Sequence, residues 1–390
     1  MQGYKNGTNG CDRKHMERIR KQLMELIDFN TTMNSGNTKE CARYIQMSMM
    51  YAGIQAKIFH TGSAKAPAHH VLAEIPGQSA DTLLLHAHMD TAPYDKDRGW
   101  HVPPERAVIV RDCILGRGAL DCKSQIAVWM RLMEDTAEKC KKGRKPEYSL
   151  KLLITDREES GGEDGLGELM KAHPELFSSV RLAIGEGGGF PFPFHGRLYY
   201  SFQTGEREDS GDDNELTGSG KEGSDGLPAK AATCSEEDQT AAENIRDSIL
   251  KKGIKLGYYA PVILDYCREE ESIRGRRLDT RPLYEGMEEY FQNAAPSIVW
   301  KKYGALFLTA LQSEVADAEL MPYITPGFSD NRWFRKNGIP VIGFFPLDPK
   351  NAVSGIHGPD EYISMMSLEL AYKVMSKTVH ALLYGGQTLK

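Results

Sequence analysis

No apolar run in this 390-residue chain approaches the length of a membrane span, which excludes a membrane-embedded reading of the sequence. The first seven residues, Met1 to Gly7, hold no apolar core of a secretory signal. An excess of positive charge is missing as well. With 48 Lys and Arg against 54 Asp and Glu, the formal net charge is −6, which argues against a nucleic-acid-binding surface. The seven cysteines are odd in number and show no Cys-x-x-Cys spacing, so neither a disulfide framework nor a thiolate metal knuckle is indicated, and a cytoplasmic location is expected. No internal repeat is evident. What is present, 40% hydrophobic residues in a chain longer than a single core usually supports, points to a two-domain soluble enzyme.

Chemistry-bearing residues gather at the ends of apolar runs. Leu83-Leu84-Leu85 leads into His86-Ala87-His88-Met89-Asp90, and strand alternation places His88 and Asp90 on one face, where a carboxylate can hold the imidazole while its other nitrogen meets a cation. Gly116-Arg117-Gly118-Ala119-Leu120-Asp121 is a glycine-rich turn presenting Asp121 before a helical run. Leu152-Leu153-Ile154-Thr155 runs into Asp156-Arg157-Glu158-Glu159, where neighbouring Glu side chains point different ways, one towards a metal and one free to act as a base. Leu182-Ala183-Ile184-Gly185 ends at Glu186, and Ser354-Gly355-Ile356-His357-Gly358-Pro359-Asp360-Glu361 places a second His in a loop. Singly, each has an ordinary structural explanation: a buried His satisfied by an Asp, a solvated acidic loop end, a plain turn. Together, five such junctions are what an α/β enzyme needs to build a site at the carboxyl ends of its strands.

Strand and helix patterns alternate up to Ile184, which predicts an α/β fold with a sheet flanked by helices. Tyr199 to Phe202 is strand-like, Gly205 to Asp238 is polar, and the pattern recovers from Ala241. A small inserted α+β domain therefore fits residues 198–308, dividing a catalytic domain into 1–197 and 309–390. Ile339 to Phe345 reads as a buried strand, Ser329 as a cap for a helix near Asp330, and the last helix, with Leu368, Ala371, Met375, Val379 and Leu382, as core packing.

These motifs in this order resemble the M20 family of co-catalytic zinc hydrolases, and within it the branch of carboxypeptidase S and N-acyl-amino-acid hydrolases. The nearer likeness is carried by Trp100-His101-Val102-Pro103-Pro104, by the Gly116 to Asp121 turn and by Pro326-Gly327-Phe328-Ser329-Asp330-Asn331-Arg332. The resemblance implies a zinc-peptidase-like catalytic domain with a mixed sheet, and an inserted lid that also mediates dimerisation. It implies two divalent metal ions, with His88 and Glu186 on one, Glu159 and His357 on the other, and Asp121 bridging. Asp90 would orient His88, Glu158 would be the general base, and the peptide bond after Asp121 would be cis. Arg281, Ser329 and Arg332 are the substrate-binding candidates, with Arg281 equally able to pair with local acids. Imidazole and carboxylate donors suit zinc, and also cobalt or manganese. Cys122 beside Asp121 is near enough in sequence to touch the metals, although a buried inert thiol is the simpler reading.

The reaction so implied is hydrolysis of the amide of an N-acyl amino acid or of a small peptide with a free carboxylate, with no nucleic-acid or membrane partner. One departure qualifies it. Where the family lid carries a histidine in a Gly-His-x-Ser-x-Pro element, this chain has Ser224 within Gly220 to Pro228. A serine hydroxyl is a shorter, uncharged donor, so a weak hydrolase or a catalytically silent metal- and ligand-binding relative is the alternative expectation.

Overall fold

The computed structural model describes residues 10–33, 37–194, 197–206, 298–325, 329–353, 355–386 and 389. The strands are β1 (Gln55–Ser63), β2 (Ala66–Ile75), β3 (Ser79–His88), β4 (Val108–Val110), β5 (Cys113–Leu115), β6 (Tyr148–Thr155), β7 (Val180–Gly185), β8 (Pro191–Phe194), β9 (Arg197–Glu206), β10 (Ala318–Thr325), β11 (Val341–Gly343) and β12 (Tyr362–Ser364). The helices are α1 (Gly10–Ile27), α2 (Thr38–Tyr51), α3 (Lys123–Lys141), α4 (Glu168–Ala172), α5 (Ile298–Gln312), α6 (Asn331–Lys336) and α7 (Met365–Tyr384).

A nine-stranded mixed sheet runs in the order β1-β2-β6-β3-β7-β11-β9-β10, with β8 paired to β9. Its centre is parallel: β3 lies between β6 and β7 and is parallel to both. Central strands covered on both faces must be apolar throughout, and all eight residues of β6 are buried. Alternation sorts them. Leu83, Leu85, Leu150, Leu152 and Ile154 face a large core with α1, α3, α5 and α7, while Leu84 and Leu153 face a smaller one with Leu169, Phe334 and Val341. Truncating a fully buried Leu85 to Ala in such a layer costs about 2–5 kcal/mol.

The predicted strand and helix runs around Val71–Ile75, His88, Leu150–Thr155, Asp121 and the final helix all appear, the last capped by Ser364, whose Oγ accepts the Ser367 N–H at 3.0 Å. The segment at Val108 to Leu115 is a hairpin, β4 and β5, turning at Arg111 with φ 52°, and pairs with β12 in a separate three-stranded sheet.

The boundary of the insertion differs from the sequence pattern. Residues 198–206 lie in β9, a strand of the main sheet parallel to β10, and residues 298–308 lie in α5. Phe202 explains why: its ring packs on Phe307 of α5 at 5.2 Å and on Phe344 at 5.9 Å. The stretch 199–202 thus belongs to the main sheet. The remainder of the proposed lid, with Arg281 and Ser224, lies outside the described residues. Among the described residues, no helix is long and apolar enough to cross a membrane.

Candidate metal centre

Three parallel neighbours set the geometry. His88 ends β3 in register with Thr155 of β6, and Leu85 is in register with Ile184 of β7. The residues just past these strands, Glu158 and Glu159 on one side and Glu186 on the other, therefore emerge at the same edge as His88. Glu158 to Ser160 form a tight turn between Arg157, at φ 75°, and Gly161 and Gly162. Gly162 is required there, since a Cβ would stand 2.3 Å from Asp330 Oδ1. Asp121 arrives from the Gly116–Gly118 turn, and its peptide bond to Cys122 is cis. His357 comes from a loop, at φ 61°, on a turn closed by Gly358 N–H donating to Gly355 O at 2.9 Å.

The two carboxylate oxygens of Asp121 face different imidazoles. Oδ1 lies 3.2 Å from His88 Nε2, and Oδ2 lies 3.1 Å from His357 Nε2. His88 Nε2 is also 3.3 Å from Glu186 Oε2, and His357 Nε2 is 3.2 Å from Glu159 Oε2. Donors around one tetrahedral centre with bonds of about 2.0–2.2 Å lie roughly 3.3–3.5 Å apart, so both groups have the spacing a divalent ion needs. The tautomer agrees. His88 Nδ1 donates to the Asp90 carbonyl at 2.9 Å, which leaves the Nε2 lone pair of the neutral ring pointing at Asp121 and Glu186, an arrangement that calls for a cation between them. Glu159 Oε1 and Glu186 Oε1 are buried without a hydrogen-bond partner, further donors awaiting a positive charge.

Electrostatics say the same. Burial opposes charge on His88, but Cys122, Glu186, Glu158 and Asp121 hold its pKa well above the usual imidazole value. Hydrogen bonds to Asp121 and Glu159 raise His357 to about 10. Burial raises Glu186 to about 7, and burial together with the Glu186 charge pushes Glu158 well above the ordinary carboxylate range, with His88 opposing. A divalent ion held among these carboxylates would take the place of the histidine protons.

Residues 84–381 match peptidase family M20/M25/M40. The chain belongs to this family. It is 29% identical over 176 residues to a cysteinylglycine-S-conjugate dipeptidase of Corynebacterium striatum, a stretch that is 44% of this chain and 37% of that protein. It is 30% identical over 99 residues to a succinyl-diaminopimelate desuccinylase of Alkalilimnicola ehrlichii, 25% of this chain and 26% of that one. The alignments thus span well under half of these relatives. Solved structures share the fold across nearly the whole chain. An M20 family metallo-carboxypeptidase from Sulfolobus solfataricus gives a TM-score of 0.60 at 15% identity, covering 93% of this chain and 98% of that one. Human carnosine dipeptidase 1 gives 0.58 at 12%, covering 94% and 97%.

In this M20-family chain the sequence-predicted residues Asp121, Glu158, Glu159, Glu186, Ser329 and His357 line one cavity of about 360 Å³. Three roles differ from expectation. The Asp90 carboxylate stands 3.5 Å from His88 Nδ1; it is the Asp90 carbonyl that takes the ring proton, and the carboxylate instead accepts the N–H groups of Glu158 and Glu159. Arg332 donates to the Gly161 carbonyl and stacks on Trp333 at 5.0 Å, so it braces the Glu158–Gly162 turn from behind and does not line the cavity. Ser329 lines it, but its hydroxyl donates to the buried Glu206 and accepts the Asn331 N–H, which spends it on the fold. Cys122 Sγ donates to the His88 carbonyl at 3.3 Å, and burial pushes the thiol up, as suits an inert side chain.

Sequence reasoning missed the apolar wall of the cavity, Leu120, Phe190, Phe345, Leu347 and Ile356. Each reads in sequence as ordinary core. The adjacency of Leu120 to Asp121 and of Ile356 to His357 was the available signal.

Proposed function

We propose that this chain is a metal-dependent hydrolase of the amide bond in small peptides or N-acyl amino acids. His88 and Glu186 would hold one divalent ion, Glu159 and His357 the other, with Asp121 shared. The observation that carries this reading is the division of Asp121, one oxygen to each histidine. When bound, two such ions, zinc by donor type with cobalt or manganese compatible, supply electrophilic activation of water and of the amide carbonyl.

Glu158 does the proton chemistry. It lines the cavity 3.9 Å from His88 Nε2, and its backbone is fixed by Asp90, so its carboxylate can take a proton from the attacking water and return it to the leaving amine. The apolar wall receives an apolar acyl group or side chain, and its 360 Å³ cavity suits a small substrate. Arg281 remains a candidate for gripping a carboxylate, and dimerisation through the insertion remains part of the proposal. Two relatives point the same way in their names, one a dipeptidase and one a desuccinylase.

The test is metal analysis of the purified chain, then release of amino acid from a panel of dipeptides and N-acyl amino acids before chelation, after chelation and after zinc repletion. Release that disappears with chelation and returns with zinc supports the reading. Bound metal with no release on any substrate would make the chain a binding relative without turnover, the outcome that Ser224 raises.

A further inference from the structure

The two halves of the site are built differently. His88 and Glu186 sit at the ends of adjacent parallel strands in the middle of the sheet, and His88 is fully buried. His357 sits on a loop, in a left-handed backbone conformation, with half its side chain exposed. Behind that loop lies a fully buried carboxylate, Glu361, paired to Arg117 at 2.8 Å, neither of which touches the cavity.

Glu361 and Arg117 together tie three segments. Glu361 Oε1 accepts the N–H groups of Leu120 at 2.8 Å and Asp121 at 2.9 Å, and Oε2 accepts that of Gly118 at 3.1 Å. Arg117 reaches on with its other amine, donating to the His357 carbonyl at 2.9 Å. Its guanidinium lies 5.3 Å from the Trp100 ring and 6.0 Å from that of Tyr94. The same loop is held at its far end by His101, whose backbone N–H donates to Asp360 at 2.8 Å. A planar guanidinium gives the carboxylate and the carbonyl a nitrogen each while stacking on an aromatic face, whereas an ammonium offers one nitrogen and no plane to stack.

We infer that Arg117 is a positioning residue for His357, and so for the half of the site formed by Glu159, His357 and Asp121 Oδ2, while Glu361, which holds the backbone of the shared Asp121, positions the ligand common to both halves. The inference rests on the two-metal reading of the site. Arg117 fixes the backbone of His357, and Glu361 fixes the backbone of Asp121 relative to it, so the pair sets the 3.1 Å approach of His357 Nε2 to Asp121 Oδ2. The strand-borne half has its own support in the sheet register.

The experiment measures stepwise zinc affinities of the intact chain by competition with a chromophoric chelator, for the parent, Arg117→Lys and Glu361→Gln. Lysine keeps the charge beside Glu361 but has one nitrogen where arginine's fork has two, one for Glu361 and one for the His357 carbonyl. Glutamine turns an amide NH₂ towards donors that a carboxylate oxygen now accepts. The expected result is one zinc retained at parental affinity and the other weakened about 10–100-fold in Arg117→Lys, and both weakened in Glu361→Gln, because Asp121 serves both. In a His357→Ala background, Arg117→Lys should add no further loss, because the half-site it positions is already gone. Both zincs held as in the parent, or both weakened alike, in Arg117→Lys overturns the inference, as does a Glu361→Gln that holds both at parental affinity; should Glu361→Gln fail to fold, Arg117→Lys decides. A parent that binds no second zinc overturns the metal reading itself, which keeps the two failures distinct.

Discussion

The carboxylate of Asp90 accepts the backbone N–H of Glu159 at 3.0 Å, and its other oxygen accepts that of Glu158 at 3.3 Å. Because the Asp90 carbonyl simultaneously holds His88 Nδ1, one residue sets both the imidazole and the turn carrying the two glutamates. The imidazole and the two glutamates are thereby referred to a common point in the backbone.

Glu158→Gln separates those roles. Glutamine preserves size and the turn but cannot accept the water's proton, so turnover should fall by roughly 10²–10⁴-fold while the metal content stays at the parental value. Metal analysis and steady-state kinetics on one cleaved substrate check this; near-parental turnover in a metal-replete variant would place the base elsewhere.

Metal removal should destabilise the fold. An ion that binds only the native chain adds about 2.7 kcal/mol at a free concentration 100 times its dissociation constant. Thermal unfolding with excess zinc and with chelator should therefore differ in midpoint, the chelated sample melting first. Coincident curves would show that the Asp121 cluster binds no ion in solution.

Gly343→Ala tests the support of Glu186. A Cβ at Gly343 would stand 1.9 Å from the Glu186 carbonyl, a backbone atom that a side-chain rotation cannot move aside. A loss of about 1–3 kcal/mol in urea unfolding, accompanied by weaker metal retention, is expected. An unchanged midpoint would mean that β11 and the Glu186 segment shift apart freely.

Acid sensitivity should trace in part to His70. Burial lowers its pKa to about 3, and in the fold Thr61 Oγ1 lies 2.8 Å from its Nε2 while the Asp156 N–H donates to Nδ1 at 3.3 Å. The unfolded side chain titrates near 6.5, so between those values the unfolded chain binds more protons, and stability falls as pH falls from about 6.5 towards 3. One such group accounts for a loss of about 2 kcal/mol at pH 5. Replacing His70 with Asn should flatten the dependence of unfolding free energy on pH across that window, whatever it does to stability at pH 7. An equally steep dependence in the variant would put the acid sensitivity on other groups.

The alternation of strands and helices, and the acids and histidines at strand ends, were legible in the sequence because local periodicity and residue type carry them. The run Leu83-Leu84-Leu85 reads as a strand covered on both sides, and the residues next after such a strand in a parallel sheet lie at its carboxyl edge. His88, Glu158, Glu159 and Glu186 follow that rule, whereas Asp121 and His357, borne on a turn and a loop, were legible only through the resemblance of the ordered motifs to the family. Which atom of Asp90 holds His88, which group Arg332 serves, and where β9 ends were not legible. Each depends on partners far along the chain: the turn at Glu158, the Gly161 carbonyl, the ring of Phe307. The pairing of Arg117 with Glu361 is of the same kind. Nothing in either local sequence announces it, since a charged residue in a glycine turn and another after a loop are ordinarily solvated. Only the tertiary structure, by removing both from water, made each the other's partner and turned them into the support of a loop that has no strand to hold it.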